Sequence, residues 1–94
     1  MNRPIQVGDL VISLTGRDKD KYFAVVDITK TRVKVIDGKT HKILSPKTKN
    51  IKHIKLILTA GIKELVENIN KGQLVSNKKV YKLIKVKKQK LQED

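Results

Sequence analysis

The stretch Leu14–Val26, LTGRDKDKYFAVV, sets a glycine, five consecutive residues of alternating charge and an abrupt apolar run side by side. Gly16 permits a tight turn, and Asp18 and Asp20 are suited to hydrogen-bonding the turn backbone or offsetting its charge. Arg17, Lys19 and Lys21 are left to project from it. Charges confined to so short a turn, with a buried strand directly behind, describe a backbone device that presents cations to an anion from a rigid support.

Working outward, Leu10, Ile12 and Leu14 alternate with Asp9, Val11 and Ser13, the period of a strand with one face on a core. After the turn, YFAVVDI (Tyr22 to Ile28) is apolar nearly throughout, as a strand covered on both sides would be. TRVKVID then alternates Val33 and Val35 with Arg32 and Lys34, Ile36 conforming less well. Asp37-Gly38 supplies the dipeptide of a two-residue hairpin, which predicts a fourth strand over Lys39 to Leu44. Pro46 has no donor, so SPKTKN is expected to be loop, and NIKHIKLIL, with Ile54, Leu56 and Leu58 on one parity, to be a fifth strand. Short strands at this spacing around one small core suggest a barrel.

The period changes near Thr59. Ile62, Leu65, Val66 and Ile69 form one stripe of an amphipathic helix, with Glu64 and Glu67 toward its positive end and Lys71 and Gly72 at its close. In SNKKVYKLIKVKKQKLQ, Val80, Leu83, Ile84 and Leu91 suit a helix capped by Ser76 or Asn77, although VYKLIKVK also alternates as a strand would; helix is the reading adopted. The expected architecture is mainly β, residues 1–58 a small barrel and residues 59–94 a helical pair packed on it as one folding unit.

The chain carries 22 Lys and Arg against 9 Asp and Glu, a net charge of +13, which favours a polyanionic partner. There is no Cys, so no disulfide or thiolate site is available, in keeping with a reducing, cytoplasmic setting. No run approaches the length of a membrane span, and the N-terminus lacks the pattern of a signal peptide. His41 and His53 are isolated from each other, the acids are scattered among lysines, and no glycine-rich phosphate loop occurs. The expectation is therefore a non-enzymatic protein, monomeric when free, with no catalytic residues, no metal and no cofactor.

The cations are organised. From Gly38 to Lys63 there are seven lysines and no acid, and from Lys78 to Lys90 there are seven more and again no acid. Lys78 and Lys79 fall in a first helical turn, where positive charge opposes the helix dipole; a phosphate bound there would engage both ammonium groups and the free backbone N–H groups. With only Tyr22, Phe23 and Tyr81 as aromatics, base stacking cannot be the main grip on a nucleic acid. Lysine and arginine on phosphate remain, which points to structured RNA or a duplex read by shape.

VGDLVISLTGRDKDKYFAVVDI resembles the KOW motif: a Gly8-Asp9 entry to a strand, a glycine-led basic loop (Gly16, Arg17, Lys19, Lys21), then an apolar strand through Val25 and Val26. Residues about 7 to 58 resemble the small bacterial KOW proteins that are similar to an archaeal and eukaryotic large-subunit ribosomal protein, including the continuation VDITKTRVKVIDG. The lysine-rich C-terminal third is similar to that group without a specific motif. The resemblance implies an SH3-like barrel, RNA contact through the first loop, and association with ribosomes. One position departs: where the family usually has a second glycine, before the residue matching Lys21, this chain has Asp20, which tolerates the left-handed backbone but brings a carboxylate near phosphate.

The expected RNA contacts are Arg17, Lys19 and Lys21 on the loop, Lys42, Lys47 and Lys49 flanking it, and Lys78 and Lys79 at the helix end, with Gly16 and Asp20 setting loop geometry. Structured RNA, ribosomal RNA foremost, is the expected partner. The rival readings are a transcription-elongation or nucleoid-associated factor using the same loop, a protein-interaction module that takes a peptide in a barrel groove, and a small hydrolase.

Overall fold

In the computed structural model, which describes residues 4–92, five antiparallel strands and two helices follow in order. They are β1 (Leu10–Ser13), β2 (Tyr22–Ile28), β3 (Arg32–Ile36), β4 (Lys47–Asn50), a single 3-10 turn (Ile51–His53), β5 (Ile54–Leu58), α1 (Lys63–Asn70) and α2 (Asn77–Gln92). The sheet order is β4-β3-β2-β1-β5. It is not closed: among the described residues no ladder joins β4 to β5. The class is thus a five-stranded antiparallel sheet with two helices.

Two apolar clusters lie on opposite faces of the central strands. Leu10, Ala24 and Ile36 face the helices and pack with Ile62, Leu65, Val66, Val80 and Ile84. Val11, Phe23, Val25, Val33, Val35 and Ile54 form the second cluster on the other face. Phe23, Ala24 and Val25 are fully buried, so β2 is covered on both sides as its unbroken apolar run predicts. The same holds for β1, whose expected single inward parity is not what forms: Leu10, Val11 and Ser13 are buried, whereas Leu14 is 42% exposed. Irregular register between Leu10 and Val11 against β5, and between Val25 and Asp27 against β3, bends both strands and lets one sheet wrap the second cluster.

Strand four lies elsewhere than the Asp37-Gly38 dipeptide suggests. Residues Lys39 to Leu44 form no strand, only one isolated bridge between Lys42 and Ser45. Asp37 Oδ1 accepts from the N–H groups of Lys39 and His41, and the Asp37 and Gly38 N–H groups both donate to the His41 carbonyl. The chain is thereby wound into a turn of its own before it can pair. Pro46 ends that excursion, and the segment expected as loop supplies the strand: Lys47 to Asn50 pair with Val35 to Arg32. An edge strand of sequence KTKN carries no apolar signal to betray it.

The helices are stabilised as their sequences foretell. α1 closes in a Schellman motif, with Gln73 N–H donating to the Asn68 carbonyl and Gly72 N–H to that of Ile69. The region that alternates ambiguously is helical; Ser76 caps it by accepting from the Lys79 N–H at 3.1 Å, and Val80 and Ile84 are its buried anchors, while Leu91 stays exposed. Asn77 serves another purpose, its Oδ1 accepting the Ile43 N–H at 2.8 Å. No helix of the described residues is long and apolar enough to cross a membrane.

Candidate functional site

The loop joining β1 to β2 is built on its own backbone. Gly16 holds φ 81° and Asp20 φ 71°, so the aspartate occupies the left-handed region that a glycine would otherwise take. Asp20 N–H donates to the Ser13 carbonyl at 2.8 Å and Ser13 N–H to the Lys21 carbonyl at 2.9 Å, which fastens both ends of the loop together. Two internal turns, from Lys19 N–H to the Gly16 carbonyl and from Lys21 N–H to that of Asp18, fill the span between.

Asp18 is the anchor. Its carboxylate is buried, with Ser13 Oγ 2.8 Å and Lys49 Nζ 2.9 Å from Oδ1, and Lys47 Nζ 3.0 Å from Oδ2. Burial by itself pushes its pKa up, but the contacts from Lys49, Ser13 and Lys47 outweigh that and hold the group well below the usual carboxylate range. Lys49 is 8% exposed and also donates to the Thr15 carbonyl at 3.3 Å. β4 presents both lysines opposite Val33 and Val35, so inward-facing cations on an edge strand meet an acid delivered by the loop.

Of the residues singled out in the sequence, Arg17, Lys19 and Lys21 are exposed on this loop, and among the described residues none of the three forms an ion pair. Lys42 is exposed on the Asp37–Pro46 excursion, whose backbone is tied to the start of α2 through Ile43 and Asn77. Lys47 is half-buried and Lys49 buried, so both stand at the base of the loop rather than on an open surface. Lys78 and Lys79 are exposed at the α2 N-terminus, Lys79 beside a small cleft lined by Glu64 and Asn68 of α1.

The fold also assembles residues that sequence reasoning passed over. A groove of about 380 Å³ lies between the end of the loop, the Asp37–Thr40 turn and α2, with Tyr22 and Tyr81 in its wall. Lys39 Nζ stands 5.6 Å from the Tyr81 ring centroid and Lys88 Nζ 5.2 Å from that of Tyr22. Phe23 is the aromatic that the core takes up, and His41 packs near it with ring centroids 5.9 Å apart. Among the described residues no three of His, Asp and Glu are grouped to hold a metal ion. The chain matches no model of a known protein family, and no curated protein matches it significantly.

Proposed function

We propose that this chain is a non-enzymatic RNA-binding protein that docks on structured RNA, ribosomal RNA foremost, through the Leu14–Lys21 loop. The observation that carries the reading is the internal neutralisation of Asp18: two lysines and a serine engage that carboxylate beneath the loop, while Arg17, Lys19 and Lys21 remain outside and, among the described residues, without acidic partners. A stiff loop that buries its central acid and exposes its cations suits phosphate, which is bound by position and charge rather than by base identity. Lys47 and Lys49, paired with Asp18 at the base of the loop, act through its shape.

An SH3-like barrel of the KOW type belongs to the same reading. The meandering order β4-β3-β2-β1-β5, the 3-10 turn between the two edge strands and the left-handed backbone at Gly16 and Asp20 support it. Asp20 keeps the turn that a second glycine would allow, and its carboxylate stays exposed beside the cations.

The test is binding to a ribosomal RNA hairpin across a salt series. With one phosphate contact from each of the three loop cations, affinity should fall about fortyfold between roughly 50 and 200 mM salt, and the triple change Arg17→Ala, Lys19→Ala, Lys21→Ala should flatten that dependence. Affinity indifferent to salt would contradict this mode of binding. Co-sedimentation with ribosomal particles that RNase, and not DNase, abolishes separates the ribosomal reading from a nucleoid one.

A further inference from the structure

The groove beside the loop has the composition of a nucleotide site. Tyr22 and Tyr81 are the only tyrosines of the chain, and both line it, although they come from β2 and α2. Tyr81 is 38% exposed although it lies in the groove wall. Four lysines, Lys21, Lys39, Lys85 and Lys88, share the lining with two acids, Asp20 and Asp37. Asp37 is turned into its own loop, where Oδ1 accepts the Lys39 and His41 N–H groups, and Asp20 lies exposed at the rim. The volume falls in the range of sites that take a small ligand.

We infer that this groove holds one unpaired nucleotide of the bound RNA, its base stacked on Tyr81 and its phosphate held among Lys39, Lys85 and Lys88, an assignment that rests on the RNA-binding reading above. In the free protein ammonium groups stand over both rings. A base on Tyr81 replaces an exposed cation–π contact with the stronger stacking interaction, and releases Lys39 to the phosphate that accompanies the base. Lys21 is common to the groove and the cationic loop, so a strand whose phosphates follow the loop passes the groove mouth. The duplex portion is then positioned by charge, and a nucleotide displaced from it enters the groove.

Three RNA hairpins of equal length test this with the full chain: one fully paired, one with a single bulged nucleotide, one with an abasic residue at the bulge. The bulged RNA should bind about tenfold tighter than the other two, and it alone should quench the tyrosine emission, which arises wholly from the groove because the chain has no Trp. Tyr81→Ala should erase the preference and leave affinity for the paired hairpin unchanged, and Tyr81→Phe should retain it. Equal affinity of the wild-type protein for all three RNAs, with the steep salt dependence intact, overturns the groove assignment and leaves the RNA reading standing. Quenching by a polyglutamate peptide as strong as that by the bulged RNA overturns it in favour of an acidic protein partner. Failure to bind any of the hairpins removes the RNA reading and the groove assignment together. The abasic comparison needs no variant, so a folding defect in Tyr81→Ala would not shelter the assignment.

Discussion

Two glycine-led loops leave the sheet, one after β1 and one after β3, and they are held in opposite ways. Gly16 and Gly38 both have left-handed backbones, φ 81° and 79°. A methyl group at Gly16 would meet only Asp18 Oδ1, at 3.7 Å, because that loop stands in solvent and is fastened by a buried ion pair at its base. At Gly38 it would overlap the Asn77 carbonyl and lie 2.7 Å from the Tyr81 nitrogen, because there the turn is pressed against the first turn of α2. The first loop is tied by charge and the second by close backbone approach. The free face of the first carries cations outward, whereas the second spends its geometry on docking a helix that forms one wall of the tyrosine groove.

The largest effect expected from breaking this contrast is at Asp18. Asp18→Ala leaves Lys49 buried beside Ser13 and Thr15 with no anion, which should destabilise the fold by about 3–5 kcal/mol in urea titrations. A loss no larger than that of an exposed pair, under about 1 kcal/mol, would mean that the loop is not anchored by charge. Lys49→Glu, which buries two carboxylates together, should be at least as damaging.

Gly38→Ala should come next, at roughly 2–4 kcal/mol, since backbone strain and steric overlap with α2 add. Gly16→Ala carries only the strain, about 1–2 kcal/mol. The difference between the two melting temperatures measures how tightly α2 is seated, and equal shifts would deny that it is seated on Gly38.

The smallest effect, taken per pH unit, is in acid. Because the folded-state pKa of Asp18 is depressed, the unfolded chain binds more protons below about pH 4, so this stabilisation is complete above that pH and is lost as pH falls toward the folded value. Wild-type stability should decline more steeply than that of Asp18→Asn, by up to about 1.4 kcal/mol per pH unit, in denaturant titrations between pH 4 and strongly acid conditions. Parallel slopes would show that Asp18 titrates as an ordinary surface acid.

Much of this architecture is legible in the residues. β2 and β3 follow from their apolar runs, α1 from its stripe, and the left-handed turn from Gly16 with an aspartate able to follow it. Lys39–Leu44 follows a dipeptide that suits a hairpin and yet is a loop, because Asp37 captures the backbone donors that a ladder would have needed. Lys47–Asn50 contains no apolar residue and yet is a strand, because an edge strand can pair through its backbone and satisfy its inward side chains with an acid. At the site, the exposed cations of the loop could be picked out by their spacing. The groove could not, since nothing near Tyr22 in the chain points to Lys88 or Tyr81.

The order of local elements and the strong positive field were determined by the sequence alone, because hydrophobic period and charge count are properties of neighbouring residues. The tertiary structure decided which lysines are free and which are buried, and which aromatics remain open. Those outcomes depend on partners such as Asp18 and Lys49, 31 residues apart, that meet only when the sheet brings its edge strand beneath the first loop. A charge acquires its role from the group that faces it, and no local pattern records what that group will be.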